Sequence, residues 1–179
     1  MNRRSAIRRF IIFSAGASLL PSCMQNDDSK ATIPLRNIEV SGSQEKLLAT
    51  LTETILPTTT SPGANSLSSH AYVLMMVDDC FKKEDQQKFI RGLQQFDEVA
   101  RKKTGTGFSA ADAKQKAGLL KAIEAKKEIS EEVLSFYSAV KKLTIQSFTG
   151  SKYYLTEIRK YEMAPGRFHG SFPVADKKM

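Results

Sequence analysis

Residues 130–149 read SEEVLSFYSAVKKLTIQSFT, and this stretch decides the fold class of the chain. Large apolar side chains recur in it every three or four residues, which places them along one stripe of an α-helix. The stripe consists of Val133, Phe136, Tyr137, Val140, Leu143 and Ile145. Ser130 in front of the stripe is a residue type that begins helices, and Gly150 behind it is one that ends them. The stretch therefore predicts a long helix with a broad apolar face.

Two helices are predicted earlier in the chain. The first begins near Ser43, with Ser41 or Ser43 as its cap, and ends where Pro57 interrupts its apolar stripe. The second contains the apolar run 71–77, which leaves little polar face and predicts a central helix buried on most sides. Cys80, near its end, is expected to be a small buried side chain, with a reactive or cross-linking thiol as the alternative.

Residues 83–103 predict a third helix, because four apolar side chains share one of its faces. These are Phe89, Leu93, Phe96 and Val99. Glycines in the stretch 105–107 end that helix, and Ser109 is expected to cap a fourth helix that continues to Lys127. A short helix is also predicted over residues 152–161.

The segments between these helices are rich in turn-forming residues. Residues 57–65 contain two prolines, a glycine and three threonines, which forbid a regular helix. The last eighteen residues contain prolines and glycines that prevent a continuous helix. No alternation of period two lasts long enough to build a sheet. The sequence thus predicts an all-α fold, an irregular bundle of about five to six helices with a long Pro/Thr loop and an extended C-terminal tail.

Residues 1–22 have the order of a secretory signal. A basic stretch precedes an apolar run over residues 10–20, and small residues follow. The apolar run is shorter than the roughly 20 residues that a membrane-spanning helix needs. The pair Arg3 and Arg4 resembles a twin-arginine signal, which addresses folded cargo for export. An ordinary basic signal is the alternative.

The residues Leu20-Pro21-Ser22-Cys23 resemble a lipobox, which predicts a lipid on Cys23 that anchors the mature protein to a membrane. An ordinary signal with an incidental cysteine is the alternative. Residues 23–42 are polar and rich in turn formers, so we expect a flexible tether there. Residues 43–179 are then expected to form one helical domain.

The composition and the motifs argue against several function classes. The net charge is +8, of which the four arginines of the signal contribute half, and the remaining +4 is too dispersed to predict nucleic-acid binding. The sequence lacks the spacing of a haem-attachment site, a phosphate-binding loop or a nucleophile elbow. With two histidines in the chain, a histidine-rich metal site is excluded, and His70 is expected to be structural. We therefore expect no catalytic, metal-binding or cofactor-binding residues.

Three stretches together resemble the gluconate 2-dehydrogenase subunit 3 family. They are 51-LTETILPTTTSPGA-64, in which a helix ends in a Pro-Thr loop, 85-DQQKFIRGL-93, and the ending 159-RKYEMAPGRFHGSFP-173. The resemblance implies an accessory subunit that assists export, assembly and membrane anchoring. The implied partners are a flavin-binding catalytic subunit of the glucose-methanol-choline type and often a c-type cytochrome. FAD and haem are then expected in those partners, and the substrate is a sugar or sugar acid.

The C-terminal tail is expected to contribute to the interface with the flavoprotein. Phe168 and Phe172 carry large apolar surface in a segment that cannot form a helix, and Arg167 is suited to pair with an acidic group. Packing of both rings onto this chain's own helices is the alternative. The location implied is a membrane-anchored lipoprotein facing the periplasm or the cell surface. Two other functions remain open, a free-standing lipoprotein that binds a ligand or a protein, and an independent enzyme.

Overall fold

A computed structural model describes residues 30–126 and 129–162, together with Gly166, Gly170 and Ser171. Within these residues the helices are α1 Gly42–Ile55, α2 Ser69–Cys80, α3 Lys83–Thr104, α4 Ala113–Glu124, α5 Glu131–Thr149 and a short π-helix, Tyr154–Ile158. The same residues form no strand beyond an isolated bridge between Lys30 and Ser41. The predicted all-α bundle is confirmed. None of the described helices combines the length and the hydropathy of a membrane-spanning segment.

The helix that decided the fold class, α5, packs against every other helix described. Ser130 caps it by accepting a hydrogen bond from the backbone N–H of Val133, as predicted. The apolar stripe is buried as far as Leu143, but Ile145 is exposed and Thr144 is buried instead. The reason is helical geometry, because five residues beyond Val140 the helix has turned by about 500°, or about 140° away from the core.

The closest helix crossing lies between α3 and α5. The rings of Phe89 and Phe96 lie 4.9 and 5.6 Å, centroid to centroid, from the ring of Phe136. Gly92 lies between them on α3, and a Cβ atom at Gly92 would be 2.5 Å from the Cβ of Phe136 and 2.7 Å from the carbonyl oxygen of Glu132. Only glycine leaves room for this approach of the two backbones.

The ends of α1 and α3 follow the predicted signals. Ser41 and Gln44 form a reciprocal capping box at the start of α1, where each side chain accepts a bond from the backbone N–H of the other residue. The helix ends at Ile55, two residues before Pro57. At the end of α3, Gly105 adopts a φ of 77°, which glycine tolerates without strain.

The predicted start of α4 is wrong. The helix is capped by Asp112, whose carboxylate accepts a 2.7 Å bond from the backbone N–H of Gln115, and the Gln115 side chain accepts one from the N–H of Asp112. Ser109 instead lies in a separate turn, in which the N–H groups of Ala110 and Ala111 donate to the Gly107 carbonyl. Asp112 is the better cap because Gln115 returns its hydrogen bond.

A buried tyrosine joins α4 to α5. The hydroxyl of Tyr137 donates a 2.8 Å bond to the Glu124 carboxylate, which also accepts a 2.6 Å bond from Lys141. Burial and, second, the bond to Glu124 raise the pKa of Tyr137, so the hydroxyl remains a donor. The hydrogen bonds from Lys141 and then Tyr137 lower the pKa of Glu124.

Two predictions about α2 are wrong. Val73, Leu74 and Val77 are buried, but Met75 is 52% exposed, so the helix is buried along one side and not on most sides. Cys80 is exposed and not part of the core. Apolar composition therefore overstated the burial of this helix, which lies at the surface of the bundle with its outer side uncovered by any other described element.

Residues 30–41, which we call the strap, pack against the bundle. Ile38 and Val40 are buried in its core. Glu45 of α1 accepts hydrogen bonds from the backbone N–H and the hydroxyl of Thr32, and Asp78 of α2 accepts bonds from backbone N–H groups of residues 36–38. The prediction of a flexible tether over residues 23–42 does not hold for this described part, because long-range bonds satisfy its polar backbone.

Candidate partner-binding surface

Every site residue predicted from the sequence lies outside the described residues. These are the export-signal residues Arg3 and Arg4, the lipidation residue Cys23, and the interface residues Arg167, Phe168 and Phe172. Those assignments stay predictions. The described residues nevertheless show two surface features that the sequence did not reveal: the hydrogen bonds that order the predicted Pro/Thr loop, and the exposure of large apolar side chains in and after α5.

Glu53 in the last turns of α1 organises the loop 57–65. One carboxylate oxygen of Glu53 accepts bonds from the backbone N–H and the hydroxyl of Thr58, at 3.0 and 3.1 Å. The other accepts a 2.8 Å bond from the backbone N–H of Asn65. Bonds to a carboxylate are stronger than bonds between neutral groups. One side chain therefore closes the loop at both ends and reduces its conformational freedom.

Gly63 allows the two sides of this loop to meet. A Cβ atom at Gly63 would collide with the backbone nitrogen and hydroxyl of Thr58 and lie 2.8 Å from a Glu53 oxygen. The next residue, Ala64, is fully buried and donates its N–H to the Leu56 carbonyl at 2.9 Å. The base of the loop is thus fixed, while residues 57–60 at its tip are exposed to solvent.

The base of the loop adjoins the C-terminal end of α5. The Ala64 carbonyl accepts a 2.9 Å bond from the backbone N–H of Ser69, and the Ser69 hydroxyl lies 2.9 Å from the hydroxyl of Ser147. Because Ser147 belongs to the last turn of α5, the residues that follow the loop contact the end of α5. The chain then turns, and the Phe148 ring packs against Tyr154 at 5.5 Å between centroids.

Exposed apolar side chains are concentrated in this C-terminal part. Among the described residues, four large apolar side chains are exposed: Met75, Ile145 at 48%, Ile158 at 53% and Tyr161 at 58%. Three of these belong to α5 or to the segment after it. Exposed charged residues surround the last two in sequence, namely Glu157, Arg159, Lys160 and Glu162. Exposed aromatic and aliphatic side chains of this kind are candidates for a protein interface.

The described residues offer no comparable arrangement for catalysis. Nε2 of His70 lies 3.9 Å from a Glu45 oxygen, and its Nδ1 is buried with no hydrogen-bond partner. Among the described residues, no serine hydroxyl or cysteine thiol is bonded to His70. The described segments also contain no group of three or more His, Cys, Asp or Glu side chains that could hold a metal ion.

Comparison with known proteins gives one match. A family profile described as Gluconate 2-dehydrogenase subunit 3 covers residues 42–166, from the start of α1 past the exposed Tyr161. Neither the curated proteins nor the solved structures contain a significant match to this chain. The matched region includes the Glu53 loop, all five α-helices and the exposed apolar residues after α5. The chain therefore belongs to the gluconate 2-dehydrogenase subunit 3 family.

Proposed function

We propose that this chain is the non-catalytic small subunit of a membrane-associated flavin dehydrogenase complex. The family name describes its members as subunits of a gluconate dehydrogenase, which supports membership in such a complex. In this proposal the catalytic partner is a flavoprotein of the glucose-methanol-choline type that oxidises a sugar or sugar acid. FAD belongs to that partner, and haem to a c-type cytochrome subunit where one is present.

The small subunit is proposed to export, anchor and assemble its partner. Arg3 and Arg4 would direct a folded complex, flavin included, to twin-arginine export. A lipid on Cys23 would then hold the complex at a membrane facing the periplasm or the cell surface. The sequence motifs quoted above support both roles.

The partner is proposed to bind at the C-terminal end of α5. The observation that carries this assignment is the exposure of Ile158 and Tyr161 in the segment that follows α5, together with a loop whose base contacts the end of α5 and whose shape is fixed by Glu53. A preordered loop loses little conformational freedom on binding, and burying exposed aromatic and aliphatic side chains favours association. Arg167, Phe168 and Phe172 would extend the same interface, because Arg167 follows Tyr161 by only six residues.

Co-purification from native membranes tests this proposal. The tagged small subunit is expected to bring down a stoichiometric flavoprotein with its yellow chromophore. Replacing Ile158 and Tyr161 by aspartate should reduce the recovered flavoprotein at least about tenfold, since two charges would enter an apolar interface. Met75→Asp is the matched control, because Met75 is equally exposed but lies on α2. If Met75→Asp removes the flavoprotein and the double variant retains it, the interface is assigned to the wrong face.

Truncation after Ala164 tests the tail separately. The truncated subunit should keep the melting temperature of the intact subunit and lose the flavoprotein. A large loss of intrinsic stability with assembly intact would instead mean that Phe168 and Phe172 pack on their own chain. If the intact subunit brings down no flavoprotein at all, the alternative of a free-standing lipoprotein is favoured.

A further inference from the structure

The strap is held by two carboxylates that belong to the helices beneath it. Thr32 donates two bonds of 2.6 Å to Glu45, and the backbone N–H groups of Arg36, Asn37 and Ile38 donate bonds of 2.7 to 2.9 Å to Asp78. The side-chain amide of Asn37 also donates to the Asp78 carbonyl, at 2.9 Å. The strap thus has two separate attachment points, one on α1 and one on α2.

The hydrogen bonds to Asp78 stabilise its ionised carboxylate although the residue is buried. Burial raises the pKa of Asp78, but the three backbone N–H groups and the nearby charge of Arg36 outweigh that effect and lower the pKa. The end of α2 is fixed as well, because the side-chain amide of Gln86 donates 2.8 Å and 3.1 Å bonds to the carbonyls of Asp78 and Val77. Opening the strap therefore exposes Ile38 and breaks several charge-assisted bonds at once.

The two ends of the strap lie side by side. Lys30 pairs with Ser41 in an antiparallel bridge, and the N–H of Ala31 donates a 3.0 Å bond to the Val40 carbonyl. Lys30, the first described residue, therefore lies beside the start of α1. Lys30 lies seven positions after Cys23, so a fully extended chain between them spans at most about 25 Å. If the chain were free up to Gly42, the span could reach about 68 Å.

We propose that the latched strap holds the anchored domain close to the bilayer, with the strap and the N-terminal end of α1 toward the membrane. This inference rests on the proposed lipidation of Cys23. The surface of the bilayer is then expected next to this end of the protein, because Lys30, seven positions after the lipidated residue, lies there. The strap lies outside residues 42–166, which the family profile matches.

Release of the domain from vesicles by an arginine-specific protease tests whether Asp78 holds the strap against the bundle. The lipidated full chain is reconstituted in vesicles of phosphatidylethanolamine and phosphatidylglycerol, where cleavage after Arg36 frees the domain from the membrane. Asp78→Asn should accelerate this release at least about tenfold, because cleavage of a bound segment requires local opening. Asp79→Asn removes the same charge from the neighbouring residue, which is exposed, and should release at the wild-type rate. Arg36→Gln in the Asp78→Asn background should abolish the fast release.

The distance from the membrane is measured by energy transfer. A donor dye on Cys80, which is exposed, reports on acceptor lipids in the same vesicles. Asp78→Asn and a ten-residue Gly-Ser insertion before Lys30 should each reduce the transfer about twofold, while Asp79→Asn should leave it unchanged. Glu45→Gln opens the other attachment point and should also reduce the energy transfer. This variant tests the inference even if Asp78→Asn fails to fold.

Two results would overturn the inference. One is wild-type protease resistance in both Asp78→Asn and Glu45→Gln, and the other is unchanged energy transfer after the insertion. If mass spectrometry showed that Cys23 carries no lipid, the proposed anchoring role would be wrong. The proposed orientation of the domain at the membrane would then be wrong as well. The protease comparison made on the soluble chain would still report whether the strap is latched, so the two failures are distinguishable.

Discussion

Replacement of Gly92 by alanine tests whether the crossing of α3 and α5 depends on close backbone contact. The new Cβ atom would lie 2.5 Å from the Cβ of Phe136 and 2.7 Å from the carbonyl oxygen of Glu132. Both atoms are attached directly to the α5 backbone, so no flexible side-chain end can move away. The helices must separate by about 1 Å, which loosens the packing of the rings between them.

The change in unfolding free energy caused by Gly92→Ala follows from two opposed effects. Alanine favours a helix over glycine by about 1 kcal/mol. Overpacking of a well-packed core costs about 1–3 kcal/mol, and the upper end applies here because the contacts are with backbone-linked atoms. We therefore expect Gly92→Ala to lower the free energy of unfolding by about 2 kcal/mol. For a domain of this size the melting temperature should fall by about 8 °C.

Gly118→Ala is the matched control. Gly118 lies inside α4, and a Cβ atom added there meets no other atom within 4 Å. This variant keeps the gain in helix propensity without the overpacking, so its unfolding free energy should rise by up to about 1 kcal/mol. Urea unfolding followed by far-UV circular dichroism measures both variants. If Gly92→Ala is as stable as Gly118→Ala, the close approach of α3 and α5 is not required, and the reasoning fails.

Three further predictions concern individual side chains. Because the pKa of Asp78 is lower in the folded protein than in the unfolded chain, its stabilising contribution is complete above about pH 4 and is lost as the pH falls through the lower folded value. The unfolding midpoint, measured from about pH 6 to about pH 3, should therefore fall further in the wild type than in Asp78→Asn. Parallel curves of midpoint against pH for the two proteins would contradict this. Tyr137→Phe should lower the unfolding free energy by about 1 kcal/mol, since Glu124 keeps its bond to Lys141; a loss above about 3 kcal/mol in urea unfolding would refute that. Asp112→Ala should reduce stability by about 1 kcal/mol and increase amide hydrogen exchange in the first turn of α4, whereas unchanged exchange there would argue against its capping role.

Helix ends and apolar stripes that depend on local signals were predictable from the sequence alone. The helix ends near three residues were predictable because each residue acts on its own backbone. Ser130 supplies a cap, Pro57 lacks a backbone donor, and Gly105 adopts a left-handed φ. The stripe of α5 was also readable, because a period of 3.6 residues is a property of one segment. Ile145 was wrongly included in this stripe, although the same period places it about 140° around the helix from Val140.

Two features depend on contacts between distant segments: which surfaces are covered by other elements, and which carboxylates bind the backbone of the strap and the loop. Met75 is apolar and exposed, because burial depends on whether another element packs over the helix, and composition does not contain that information. Asp78 holds the strap through backbone groups that lie 40 to 42 residues away in the chain. The role of Glu53 likewise depends on where Asn65 lies after the loop closes. Contacts of this kind form between segments that meet only when the bundle folds, and therefore no local pattern in the sequence specifies them.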